Sequence, residues 1–146
     1  MSVVYRAKHV FDGREFTTDT TVVVDDDRIH SVGEEPPPGS SEVDLGEATI
    51  LPGLIDAHVH LSWDGSADAR SKAREEPEPL TVLRAADHAH QTLRAGVTAV
   101  RDLGSTRGVA VHLGRAIEAG IAAGPRVLAA GRAITITGGH VYDIGR

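Results

Sequence analysis

Two histidines, His58 and His60, close the apolar stretch Thr49-Ile50-Leu51-Pro52-Gly53-Leu54-Ile55-Asp56-Ala57-His58-Val59-His60-Leu61. In a strand, successive side chains alternate faces, so imidazoles two residues apart point the same way and can grip one metal ion. The pair alone says little: with eight histidines in 146 residues, chance supplies on the order of half such an occurrence. Context carries the reading. From Ile50 to Leu61 the chain is apolar almost without a break, which predicts a strand covered on both faces, as in a parallel sheet wrapped by helices. A second pair, His88 and His90, lies in Leu80–Ala95, where Leu83, Ala86, Ala89, His90 and Leu93 recur near helical spacing. Residues two apart on a helix face nearly opposite sides, so this pair reads as structural or solvated.

Other candidates fall away on spacing. Asp25-Asp26-Asp27 lacks the glycine and closing glutamate of a calcium loop and reads as a turn. Pro36-Pro37-Pro38 has no Pro-x-x-Pro frame and reads as a linker. Asp56, two residues before His58, is a candidate partner for an imidazole N–H, or else a strand-start or capping residue. Trp63, the only tryptophan, either lines a pocket mouth or packs.

The elements that must position these residues follow from periodicity. Up to about residue 48 the chain predicts a hairpin-rich antiparallel layer: strands at Val3–Val10, Thr20–Val24 and Arg28–Gly33, with turns at Phe11–Arg14 and Asp25–Asp27. The stretch Val43–Ala48 leads into the central strand. Ser62–Pro79 is polar and without periodicity, the position of an active-site loop in β/α architectures. Leu80–Ala95 predicts a helix closed by Gly96, Val97–Leu103 a buried strand, Val109–Ala119 a helix closed by Gly120, and Arg126–Gly131 a third strand running into Ala133–Thr137. Repeating βα units imply a parallel sheet. An open doubly wound sheet would carry a glycine-rich phosphate loop after its first strand, where this chain has His-Val-His-Leu-Ser-Trp-Asp. The start of an eight-unit barrel fits better, and its chemistry would sit at the C-terminal strand ends, with His58, His60, Asp102 and His140.

Composition bounds the rest. Hydrophobic residues make 40% of the chain, charged residues 25%, aromatics 3%, and the net charge is −6. No basic block with interleaved aromatics points to nucleic acid, and no apolar run or leader-like start points to a membrane or to secretion. Without cysteine, a metal site must use histidine and carboxylates. A cytoplasmic protein is the expectation.

At Leu51–Leu61 the chain resembles the amidohydrolase superfamily, whose first barrel strand carries Pro-Gly-Leu-Ile-Asp-x-His-x-His. Phe11-Asp12-Gly13, Arg28-Ile29, Ala95–Asp102, Gly124–Leu128 and Thr137-Gly138-Gly139-His140 resemble the branch of imidazolonepropionase-like and zinc-dependent Xaa-Pro dipeptidase-like enzymes. The resemblance implies an α/β chain: an N-terminal β-sandwich-type segment, 1–49, then the first three βα units of a TIM-like (β/α)8 barrel, 50–146. It further implies one or two Zn²⁺, or another divalent metal, on His58 and His60, with His140 contacting the substrate or polarising its carbonyl, and Asp102 either part of the site or only ordering the strand end. A metal-activated water would hydrolyse an amide or dipeptide-like bond, in a protein that is a homo-oligomer at full length. Family members add a lysine, two histidines and an aspartate from later strands. Here the only lysines, Lys8 and Lys72, match none of them. No catalytic residue is assignable within the chain, and the general base is expected beyond Arg146. The expectation is therefore a fragment of a longer enzyme, or a broken reading frame, inactive and prone to self-association alone. The alternative is a non-catalytic metal-binding or complementation module that needs a partner chain.

Overall fold

The structure is a computed structural model that describes residues 2–142. Met1 and residues 143–146 lie outside them, so the end of the expected barrel segment at Arg146, and with it the expectation of a general base beyond Arg146, falls outside the described residues. The described chain is mixed α/β and divides into two compact units, 1–52 and 53–146.

The first unit is one five-stranded sheet. Strands β1 (Ser2–Phe11) and β2 (Phe16–Asp25) form an antiparallel hairpin, and β3 (Arg28–Val32) continues it beyond β2. Their β-branched residues suit a pleated, half-buried surface, and Val4, Ala7, Val10, Val22 and Val23 are buried. The Asp12 carboxylate makes the first turn by accepting the N–H groups of Arg14 and Glu15 at 2.8 and 2.9 Å. The sheet corrects the expectation of a purely antiparallel layer. After the proline loop, β4 (Ser41–Asp44) and β5 (Thr49–Ile50) both pair parallel to β1.

The second unit is a three-stranded parallel sheet in the order β6 (Leu54–Val59), β7 (Val97–Asp102), β8 (Arg126–Ala129). The connections are α1 (Ala69–Glu75) and α2 (Glu78–Arg94) before β7, and a 3-10 turn (Thr106–Gly108) with α3 (Val109–Glu118) before β8. Helix α2 has Pro79 in its first turn, where a missing N–H costs nothing. It buries Thr81, Ala85 and Ala89, one small residue per turn, so its backbone approaches closely. The Ser105 hydroxyl accepts the Ala110 N–H at 2.9 Å and satisfies one orphan donor of α3. Leu61, Ala85, Ala89, Val100, Val109 and Leu113 form the core, with Val59, Ile117 and Val127 packed against it.

Three expectations are corrected. The central run is not one strand. Its first two residues pair with β1 and its later part with β7, because Pro52 has no N–H to carry a ladder onward. Nor is β6 covered on both faces: Leu54 is 50% and Ile55 75% exposed, and among the described residues β7 is the one strand that pairs with it. Finally, Ser62–Pro79 is not all loop. Lys72 bridges Asp64 at 2.9 Å and Asp68 at 3.3 Å, fastening the short helix α1.

Candidate metal centre

His58 lies inside β6 and is exposed, while His60 follows the end of β6 and is half-buried. Between and beyond them, Val59 and Leu61 enter the core. Alternation thus sends the apolar residues toward the helices and both imidazoles the other way. The ring centroids are 5.5 Å apart with planes at 76°.

His60 is fixed by two contacts. Its Nδ1 lies 2.8 Å from the carbonyl oxygen of Gly104. A carbonyl only accepts, so Nδ1 carries the proton and Nε2 keeps the lone pair. The ring also stacks on Trp63, with centroids 4.7 Å apart. The buried Trp63 Nε1–H has no acceptor among the described residues.

Asp102 organises the strand ends. It is wholly buried, and its two oxygens accept the Leu61 N–H at 2.8 Å and the Gly104 N–H at 3.0 Å. Burial pushes its carboxyl above the usual range, while the two N–H donors and nearby His60 pull it down. Through these bonds Asp102 joins the residue after His60 to the residue whose carbonyl holds the His60 ring.

The remaining candidates are more scattered. The carboxylate of Asp56 accepts the backbone N–H of His58 at 3.0 Å, a local backbone role. His88 hydrogen-bonds the Leu61 carbonyl through Nδ1 at 2.9 Å, and His90 is exposed, so the helical pair is split as its spacing demands. His140 lies in an exposed turn after β8, where the Thr135 hydroxyl donates to its carbonyl at 2.8 Å. Among the described residues no group of three His, Cys, Asp or Glu side chains could hold a metal ion. Arg101, which sequence reasoning did not single out, donates from Nε to the Ala57 carbonyl at 3.0 Å. No local pattern announces a bond spanning 44 residues.

The two histidines fit a shared ion as part of its ligand set. A Zn–N bond of about 2.1 Å, plus about 1.1 Å from nitrogen to ring centre, puts two rings on a tetrahedral ion about 5.2 Å apart. The observed separation is 5.5 Å. With Nδ1 of His60 tied to a carbonyl, Nε2 is the ring nitrogen left open, which is the arrangement that ligating imidazoles usually show.

A model of the amidohydrolase family matches residues 49–143. The chain belongs to the amidohydrolase family. Among curated amidohydrolase relatives, the imidazolonepropionase of Salinispora arenicola is 39% identical over 62 residues, covering 41% of this chain and 16% of its own. That of Thermoplasma acidophilum is 28% identical over 80 residues, 54% of this chain and 20% of its own. Among solved structures, a Xaa-Pro dipeptidase with methionine bound in its active site superposes with a TM-score of 0.81 at 28% identity, over 97% of this chain and 36% of that one. A prolidase complexed with N-methylphosphonate-L-proline gives 0.82 at 30%, over 96% and 34%. The chain thus spans about a third of these solved amidohydrolase chains and 16–20% of the two curated relatives.

Proposed function

We propose that this chain supplies the first metal-binding strand of a hydrolase that cleaves a carbon–nitrogen bond, amide or peptide-like, with His58 and His60 as metal ligands. The observation that carries the reading is the pair itself: two imidazoles 5.5 Å apart on one side of a strand end, one of them already oriented by Gly104. Residues 50–146 are read as the first βα units of a (β/α)8 barrel, and 1–49 as part of a β-sandwich. Three parallel strands with helical crossovers and the amidohydrolase neighbours support that architecture.

Zn²⁺, as one or two ions, is the proposed metal, since imidazole suits it well. When bound, it supplies Lewis acidity that polarises the scissile carbonyl and acidifies the attacking water. The chain's own part is to hold and orient. His58 and His60 would donate to the ion, Gly104 and Trp63 fix the His60 ring, and Asp102 keeps the strand ends in place. His140 is the proposed substrate contact. None of the described carboxylates is assigned the proton transfer, and a base supplied by sequence beyond Arg146 is part of the proposal. A dipeptide-like or cyclic amide is the proposed substrate, supported by the relatives named a Xaa-Pro dipeptidase and imidazolonepropionases.

Zinc sites use three or four protein ligands, so 1–146 alone is expected to bind zinc weakly and hydrolyse no amide. Zinc is titrated into the pure protein against a chromophoric chelator, with Trp63 fluorescence as a second signal. Binding in the wild type that is lost in both His58→Ala and His60→Ala supports the reading. Equal affinity in the wild type and the double variant overturns it. The second reading, a module complemented by another chain, rests on the outer edge of β6, which no described strand covers.

A further inference from the structure

The ladder between β6 and β7 shifts register twice, between Leu54 and Ile55 and again across the first histidine, between Asp56 and Val59. At the second shift the register passes from Asp56↔Val100 to Val59↔Asp102, so three steps along β6 answer two along β7, and one residue of β6 is extra. Such bulges re-aim a side chain, and they concentrate near functional sites. Ala57 and His58, the residues of the bulge, have no partner in that register.

The peptide unit that joins them is nevertheless held at both of its polar groups. The Ala57 carbonyl accepts from Arg101 Nε at 3.0 Å, and the His58 N–H donates to Asp56 Oδ1 at 3.0 Å. These are the two ends of a single peptide plane, and a plane gripped at both ends cannot rotate about its flanking bonds. Its orientation sets where the Cα–Cβ bond of His58 points. Charged partners make the grip firm, because hydrogen bonds with an ionised partner are about twice as strong as neutral ones. Asp56 and Arg101 are both exposed, so neither is needed to fill the core.

We infer that Asp56 and Arg101 are positioning residues for His58: together they clamp the Ala57–His58 peptide at the bulge and so aim the imidazole at the metal. The zinc part of this inference rests on the proposed metal role of His58; the clamp itself does not. Asp56 acts through an oxygen acceptor and Arg101 through an N–H donor, and both act on one plane. Three consequences follow. Asparagine at position 56 keeps the acceptor, loss of either residue releases the same peptide, and loss of both adds little to loss of one.

The test uses the whole 146-residue chain with Asp56→Ala, Asp56→Asn, Arg101→Ala and the Asp56→Ala/Arg101→Ala double variant. Zinc affinity is read against a chromophoric chelator, and the exchange rate and chemical shift of the His58 amide by NMR on metal-free protein. Circular dichroism confirms an unchanged fold. Lost outer-shell partners of metal ligands typically cost about 10–100-fold in affinity, so each alanine variant is expected to weaken zinc by roughly tenfold or more. Asp56→Asn should stay near the wild type, and the double variant should fall close to the weaker single. The His58 amide should exchange faster in Asp56→Ala but not in Asp56→Asn. If wild-type zinc binding does not depend on His58, the metal reading fails, while the amide data still decide the clamp. Unchanged His58 amide exchange in Asp56→Ala, or additive losses in the double variant, would overturn the clamp.

Discussion

Asp102 offers the sharpest test of how the site is built. Its carboxylate is wholly buried and accepts two backbone N–H groups, from Leu61 at 2.8 Å and Gly104 at 3.0 Å. Asp102→Ala leaves both donors buried without an acceptor, at about 1–3 kcal/mol each, so roughly 2–6 kcal/mol in all. Asp102→Asn is nearly isosteric but keeps only one acceptor oxygen and turns an NH₂ toward the other N–H, so it is expected to lose about 1–3 kcal/mol. Against a total stability of about 5–15 kcal/mol, the alanine variant approaches the edge of folding while the asparagine variant remains folded.

Urea unfolding followed by the fluorescence of Trp63 reports on the second unit, because this tryptophan is the only one in the chain. The expected order of stability is wild type, then Asp102→Asn, then Asp102→Ala, at a constant slope against denaturant. In heat, the asparagine variant should melt roughly 2–12 °C lower, at about 2–4 °C per kcal/mol for a chain of this size. Were Asp102→Asn to unfold at the wild-type urea concentration, the two N–H bonds would not be what holds the strand ends, and the argument from acceptor count would be wrong. Equal losses in the two variants would point instead to the negative charge.

Three further outcomes are expected. In Gly53→Ala, the new Cβ would lie 2.6 Å from Thr98 Cβ, a clash with a branched side chain that cannot swing away, so the variant should lose about 1–3 kcal/mol and recover most of it with Thr98→Gly. The Arg84 hydrogen bond holds the Glu76 carboxyl below its ordinary 4.5, so the unfolded chain binds the proton more readily; this contribution is full above about pH 4.5 and lost as pH falls through the folded value. Stability curves of the wild type and Glu76→Gln should therefore converge under acid, and curves parallel from about pH 6 to about pH 3 would refute the pairing. The uncovered Leu54 and Ile55 on β6 should drive concentration-dependent self-association, reduced by Ile55→Lys, and a sharp monomer in sedimentation at high concentration would count against it.

Sequence legibility followed the kind of force at work. The helices Glu78–Arg94 and Val109–Glu118 and the strand Val97–Asp102 were legible from recurring apolar residues and a glycine just beyond each end, but the face of α2 was not: it buries Thr81, Ala85 and Ala89, while Leu83 and Leu93 of the expected stripe are exposed. Strand β4 was not, since Ser41-Glu42-Val43-Asp44 has one apolar residue and is held by pairing to β1. Helix α1 escaped for a similar reason: it is seven residues long and fastened by Lys72 to Asp64 and Asp68. For β6 the apolar run told what the strand is able to bury, which differs from what lies beside it.

The site shows the same division. The His58–His60 pair was legible because a two-residue period fixes a common side, whatever the rest of the chain does. Of their supports only Asp102 was singled out in the sequence; Gly104 and Arg101 were not, since they reach His60 and Ala57 from more than forty residues away. One alternation serves both purposes here. Val59 and Leu61 anchor this end of the chain in the core beneath α2 and α3, and the residues interleaved with them, His58 and His60, are thereby turned out at the strand's carboxyl end. A slip of one residue would bury the imidazoles and expose the anchors. The hydrophobic core therefore sets the aim of the histidines, and the hydrogen bonds from the far end of β7 refine it.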